Sequence, residues 1–235
     1  MGKNNINNLS NQEMLYDIRS FGRFDIIRYN KILKYLPKID GLKILDVGCG
    51  ECQFFDKLQN DRNYKFYGVD NSEKQLYKAR KKGYHSTKSD LDKTLPFAED
   101  CFDIVIATEI IEHLFDTDAF LQRIHRVLKP EGLLILTTPN IASIGARVRL
   151  LFGQRPNVIE AWNRAGETSG HIRAFDYSDI KKLLTENNYS IIKLTGREFL
   201  IPFTKKSSFK GIKILLSNMF PTLSSGFLAV AKKCP

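Results

Sequence analysis

Leu42-Lys43-Ile44-Leu45-Asp46-Val47-Gly48-Cys49-Gly50 is a short apolar run that stops on an acid and two glycines. Its length and its glycine stop mark a buried strand followed by a tight turn. Lys65 to Asp70 (KFYGVD) is a second such run, also ending on an acid, and Phe54, Phe55 and Leu58 between the two share one face of a helix. The three pieces make a βαβ unit, whose crossover forces the strands to run parallel.

The same alternation extends in both directions. Upstream, Ile26, Tyr29, Leu33 and Leu36 recur at helical spacing, and Pro37 closes the segment. Downstream, a helix is expected from Ser72, with its hydroxyl as the cap, Gln75 reaching back and Gly83 as a left-handed stop. A third strand follows near Tyr84 to Lys88, and Phe102 to Glu109 (FDIVIATE) is a fourth. Phe120, Leu121, Ile124, Val127 and Leu128 mark a helix that ends in Lys129-Pro130-Glu131-Gly132, and GLLILTT, ending at Thr138, is a fifth strand. Beyond Pro139 the pattern weakens. It predicts a helix over Ile141 to Phe152, another capped by Ser178, and strands near Ile191 to Thr195 and Gly226 to Ala231. Strands alternating with helices of this length imply a doubly wound α/β sheet. Residues 13–235 read as one domain after a polar, Asn-rich lead-in over residues 1–12.

Composition narrows the class. Hydrophobic residues make up 43% and charged residues 26%, which suits an ordinary globular core. No apolar stretch approaches the roughly 20 residues that span a bilayer, and the first residues lack the apolar centre of a secretion signal, so a cytoplasmic location is expected. Four cysteines do not form a disulfide framework, and the single C-x-x-C of Cys49 and Cys52 lacks further ligands at zinc spacing; no metal site is expected. The formal charge of +10 raises nucleic acid as a partner, yet the late lysines read best as a solvated face, without an RNA-binding signature.

In an open parallel sheet, ligands bind beyond the carboxyl ends of the strands, where the strand order reverses. Asp46, Gly48 and Gly50 end strand one, Asp70 ends strand two, and Asp90-Leu91 follow strand three. A carboxylate at the position of Asp70 can accept both ribose hydroxyls of an adenosine group, and an acid with a backbone amide at Asp90-Leu91 can hold adenine. A dinucleotide dehydrogenase shares this geometry, but its fingerprint needs a small residue where this chain has Gln53 followed by Phe54.

ILDVGCGE, FYGVD, SDLDKTLPF, FDIVIATEIIEHL and LKPEGLLILTTPN, in this order over residues 42–140, resemble the successive motifs of the class I methyltransferases. The resemblance implies a Rossmann-like sheet of seven mostly parallel strands with helices on both faces and the last strand antiparallel. It implies S-adenosylmethionine as cofactor, held by residues of about 40–140, with the acceptor wall in about 141–235. Gly48 and Gly50 would lie beneath the methionine portion and Asp46 near its amino end. Asp70 would hold the ribose, Asp90 and Leu91 the adenine, and the end of strand four, Thr108 and Glu109, would flank the sulfonium.

Methyl transfer to an alcohol, phenol or acid needs a group to take the proton. His113 in EIIEHL and His171 in SGHIRAFD are the candidates, and His171 is preferred because its placement resembles the element after strand five in ubiquinone-type O-methyltransferases. A histidine bonded to a backbone carbonyl is the structural alternative for each. The expected partner is a small-molecule acceptor bearing oxygen or nitrogen. Arg147, Arg149 and Arg155 offer a clamp for an anionic or sugar-linked one. Phe209 to Phe220, apolar with Lys210 and Lys213, has the composition of a peripheral membrane contact, although docking before a last strand explains it more simply. A nucleic-acid methyltransferase is disfavoured, since Thr108-Glu109-Ile110-Ile111 stands where amino-methylating enzymes carry an Asn/Asp-Pro-Pro-aromatic element; the other alternative is a non-catalytic S-adenosylmethionine-binding regulatory module, which would keep the Asp46 to Asp90 set without turnover.

Overall fold

The computed structural model describes residues 23–56, 58, 63–159, 170–199 and 210–235. The lead-in over 1–12 and Phe209 lie outside them. The chain forms two compact units, divided between Leu36 and Pro37. In the first, helix α1 spans Arg23–Leu33 and is followed by a turn in which the Tyr35 amide donates to the Ile32 carbonyl (2.9 Å), so the helix stops short of Leu36.

In the second unit the order is β1 (Lys43–Val47), α2 (Gln53–Asp56), β2 (Lys65–Asp70), α3 (Glu73–Lys81), β3 (His85–Lys88), β4 (Phe102–Thr108), α4 (Thr117–Val127) and β5 (Leu128–Pro139). There follow α5 (Ile144–Leu151), α6 (Tyr177–Glu186), β6 (Tyr189–Gly196), α7 (Lys210–Met219) and β7 (Gly226–Lys233). Among the described residues the strands form one seven-stranded sheet, ordered β3-β2-β1-β4-β5-β7-β6. All neighbouring pairs are parallel except those of β7, which runs antiparallel to both β5 and β6. The chain steps outward from β1 to β3 and then returns to β4 on the other side. With right-handed crossovers, this reversal puts helices on opposite faces and opens a crevice between the ends of β1 and β4.

Burial explains why these runs are strands. Ile44, Leu45, Val47, Val105, Ile106 and Ala107 have no measurable exposure, as expected of strands covered on both faces. Helix α4 buries Phe120, Leu121, Ile124 and Val127 at the spacing of one helical face, and each such side chain contributes about 1.5–3 kcal/mol on leaving water. Its N-cap is Asp116, whose carboxylate accepts from the Ala119 amide at 2.9 Å.

Two expected caps differ. The Ser72 hydroxyl makes no cap bond at α3; instead the Ser72 amide donates to Asp70 Oδ1 at 2.8 Å, so a longer-reaching carboxylate takes over the turn. Gly83 does supply the left-handed stop, at φ +88°. Helix α6 is capped by Asp176 and not by Ser178: Asp176 accepts from the amides of Ser178 and Asp179, and Asp179 returns a bond to the Asp176 amide, closing a capping box. Strand β5 also begins earlier than expected. Lys129 to Gly132 stay in the strand as an irregularity opposite Phe102 and Ile104, with Glu131 at φ +64°. In α5, Leu150 and Leu151 are 58% and 83% exposed.

Candidate active site

The turn after β1 owes its shape to its glycines. Gly48 has φ +76° and Gly50 φ +52°, a region that costs glycine little and other residues much. A Cβ on Gly48 would stand 2.6 Å from Ile110 Cδ1, whereas one on Gly50 would meet nothing within 4 Å, so the backbone of Gly50 borders open space. The amides of Gly48 and Cys49 both donate to the Val69 carbonyl, at 2.8 and 3.1 Å, and tie the turn to the end of β2.

Asp70, at that end, organises the floor. Its Oδ2 accepts from the Gly50 amide (2.9 Å) and its Oδ1 from the Ser72 amide (2.8 Å). Each carboxylate oxygen has two lone pairs, so one on each remains for a pair of hydroxyls. Beyond β3, Asp90 is exposed and paired with Lys93 at 2.9 Å, and it accepts from the Asp92 amide. The Lys93 bond, followed by the Asp92 amide, holds its carboxyl below the ordinary carboxylate value. Leu91 is buried, and its carbonyl is held by Arg123 of α4 at 3.1 Å. Asp46 is buried at the end of β1.

Gly48, Asp70, Asn71, Asp90, Leu91, Asp92, Ile110, His113 and Leu114 line one cleft. Of the residues expected from sequence, Gly48, Asp70, Asp90, Leu91 and His113 therefore meet there. Gly50 joins them through its bond to Asp70. Asp46, Thr108, Glu109 and His171 are not in the lining. The cleft presents the carboxylates of Asp70, Asp90 and Asp92 and, within this lining, no lysine or arginine. That field favours a cation and repels a pyrophosphate. The donors fit a sulfonium nucleoside: acceptors for ribose hydroxyls, open space over a glycine backbone and net negative charge.

A second group of side chains sits beside the cleft. Glu109 follows β4 at φ +51°, a strained conformation for this residue type, and is held from two sides, by Thr137 Oγ1 at 2.9 Å and by an ion pair with Arg197. Glu112 is 1% exposed, and its Oε2 accepts from Thr138 Oγ1 at 3.1 Å. Burial first, then the nearby charge of Glu109, pushes the Glu112 carboxyl up to about 8. The Glu112 carbonyl accepts from the amides of both Ile172 and Arg173, at 2.9 and 3.0 Å, which clamps the His171 segment against the one after β4. His113 Nδ1 meets the Gly170 carbonyl at 3.0 Å, the two imidazoles pack edge to face at 4.9 Å between centroids, and His171 Nε2 lies 3.9 Å from Glu112 Oε1.

Sequence reasoning missed Asn71, Asp92, Glu112 and Arg197. Asp92 and Glu112 stand inside quoted motifs and were legible as acids, but nothing local signals that Arg197, 88 residues from Glu109, completes the pair. The arginines offered as an anion clamp are engaged locally: Arg147 with the Ala142 carbonyl, Arg149 with that of Arg155, and Arg155 with that of Ile159.

A sheet of this order with an acidic cleft at its reversal point is the arrangement that the sequence motifs led us to expect. Residues 45–136 match the family model described as a methyltransferase domain. Over 196 residues, covering 76% of this chain and 70% of the relative, the chain is 29% identical to a ubiquinone biosynthesis O-methyltransferase of Bradyrhizobium diazoefficiens. It is 34% identical over 122 residues to one from Bradyrhizobium sp. strain ORS 278, spanning about half of each protein (48% and 46%). Among solved structures, an S-adenosylmethionine-dependent methyltransferase from Mesorhizobium loti superposes with TM-score 0.63 at 18% identity, covering 88% of this chain and 98% of that one. The chain is a class I S-adenosylmethionine-dependent methyltransferase, and S-adenosylmethionine is its methyl donor.

Proposed function

We propose that the chain methylates an oxygen of a small-molecule acceptor, in the cytoplasm. Asp70 holds the ribose of S-adenosylmethionine, Asp90 and Leu91 the adenine, and Gly48, Gly50 and Asp46 the methionine portion, with Thr108 and Glu109 beside the sulfonium. Bound there, the cofactor supplies an electrophilic methyl group. One observation favours oxygen over nitrogen: Glu112, His113 and His171 converge at the edge of the cofactor cleft, and His113 belongs to both. A hydroxyl must lose its proton to become a good nucleophile, whereas a neutral amine attacks through its lone pair, so a proton-handling cluster serves the first chemistry. His171, with His113 beside it, is the site at which that proton leaves. The O-methyltransferase names of the curated relatives agree with this choice.

The test is a release assay for S-adenosylhomocysteine over paired acceptors, hydroxyarenes and the matching aminoarenes, with the product's methyl position read by mass spectrometry. Methylation of the hydroxyl compounds, lost in His171→Ala with cofactor affinity retained, is the expected result. Methyl found only on nitrogen would refute it.

A further inference from the structure

We infer that Arg173 is a positioning residue that couples the two sides of the site: its guanidinium ties the acceptor segment to the wall of the cofactor cleft, so that cofactor binding tightens that segment. The inference rests on the cofactor placement and on the acceptor side proposed above.

Residues 170–176 run between the segments that follow β4 and β5 and are bonded to both. On one side the Gly170 carbonyl meets His113 Nδ1 at 3.0 Å, and the amides of Ile172 and Arg173 donate to the Glu112 carbonyl at 2.9 and 3.0 Å. On the other, the Phe175 carbonyl accepts from the Ile141 amide at 3.0 Å, beside a parallel bridge between Asn140 and Phe175. These main-chain bonds place the Arg173 guanidinium. Its Nε donates to the Leu114 carbonyl at 3.3 Å and its Nη2 to the Phe115 carbonyl. A planar guanidinium presents its donors as a fixed fork, which suits two consecutive carbonyls; a lysine ammonium is a point charge on a flexible stem.

What the fork holds is cleft wall. Leu114 lines the cleft, and the Phe115 amide donates to Oδ1 of Asp92, another lining residue, at 2.8 Å. This two-residue stretch is therefore gripped by Arg173 from the acceptor side and bears on the cofactor side through Asp92. Phe115 is 72% exposed, so main-chain bonds, and not burial of its ring, set its place. Elsewhere in the lining, Arg123 holds the Leu91 carbonyl in a similar way, but Arg123 belongs to α4, which packs on the core. Arg173 belongs to the segment that carries His171, and that difference makes it a link.

A ligand that fills the cleft favours the arrangement with Asp92 and Leu114 in place, and through the fork it favours the closed state of residues 170–176. By reciprocity, that closed state favours the ligand by the same factor. The connections run through the main-chain carbonyls of Glu112, Leu114 and Phe115, so substituting the side chain of Glu112 or His171 leaves them standing.

The test measures amide hydrogen exchange at Ile172 and Arg173 in the full chain, with and without saturating S-adenosylhomocysteine, whose binding is followed by calorimetry. The ligand should slow that exchange about fivefold in the unsubstituted chain, the low end for linked sites, as befits an exposed guanidinium. Arg173→Met should still bind the ligand, which should then leave the exchange unchanged, and Arg173→Lys should fall between the two. Asp176→Ala removes the cap of α6 without touching the fork, so it should keep the full slowing. Equal slowing in Arg173→Met, none in an unsubstituted chain that binds the ligand, or loss of slowing in Asp176→Ala as well overturns the coupling and leaves the cofactor placement intact. An unsubstituted chain that does not bind S-adenosylhomocysteine refutes the cofactor placement and the coupling with it, whereas methylation on nitrogen in the paired-acceptor assay refutes only the choice of acceptor atom.

Discussion

The two sides of the proposed active site are built differently. The cofactor side is mostly backbone: glycine φ values at Gly48 and Gly50, amides on the Val69 carbonyl, and Asp70 bracing the turn through two main-chain bonds. Its parts lie close together in sequence, between Asp46 and Asp92. The acceptor side is mostly side chain and is drawn from distant segments: His113 with Gly170, 57 residues apart, and Glu109 with Arg197, 88 residues apart. A local, backbone-built site tolerates few sequences and recurs as motifs; a site closed by long-range side-chain contacts leaves no local pattern. On the proposed assignment, a local turn holds the donor, and the fold by itself does not dictate what receives the methyl group.

If the two sides are separable, Glu112→Ala should lower turnover by about 10³-fold, within the range for loss of proton handling, while S-adenosylhomocysteine affinity stays within about twofold. Equal losses in both would show the division to be false. Arg197→Met removes the arginine from Glu109, whose side chain is only 22% exposed; thermal or urea unfolding should report a loss of about 3 kcal/mol, the lower edge for breaking a buried pair. On the cofactor side, Asp70→Asn keeps the size but loses the charge, and calorimetry should show a drop of about 10–50-fold in cofactor affinity, since bonds to a charged group are worth about 1.5–3 kcal/mol. The smallest effect belongs to the helix that follows the acceptor segment. Asp176→Ala should cost about 1 kcal/mol as a lost N-cap. The Asp179 amide, followed by the Ser178 hydroxyl, holds the Asp176 carboxyl low. Its contribution is therefore full above the unfolded-state value and fades as pH falls through the folded one, so the variant's deficit should shrink in acid.

The same contrast governs how much was legible in the sequence. The parallel sheet was readable because strands buried on both faces are continuous apolar runs, as in Ile104 to Ala107, and because the acids that end them mark the crevice. Asp70, Asp90, Leu91, Gly48 and His113 meet in one cleft as their strand-end positions require. At both Ser72 and Ser178 an aspartate two residues earlier accepts from the serine's own amide: Asp70 ties the turn before α3, and Asp176, one residue ahead of α6, takes the N-cap there. Glu112 was passed over because burial is not visible in a motif; only the fold puts it 1% exposed beside two histidines.

None of the described helices is long and apolar enough to cross a membrane. The decisive measurement is calorimetric titration of the full chain with S-adenosylhomocysteine and, separately, with NADH. The acidic cleft and the glycine turn lead us to expect micromolar binding of the sulfur nucleoside and none of the pyrophosphate-bearing dinucleotide. Binding of NADH, or of neither ligand, would contradict the assignment of this cleft to a sulfonium cofactor.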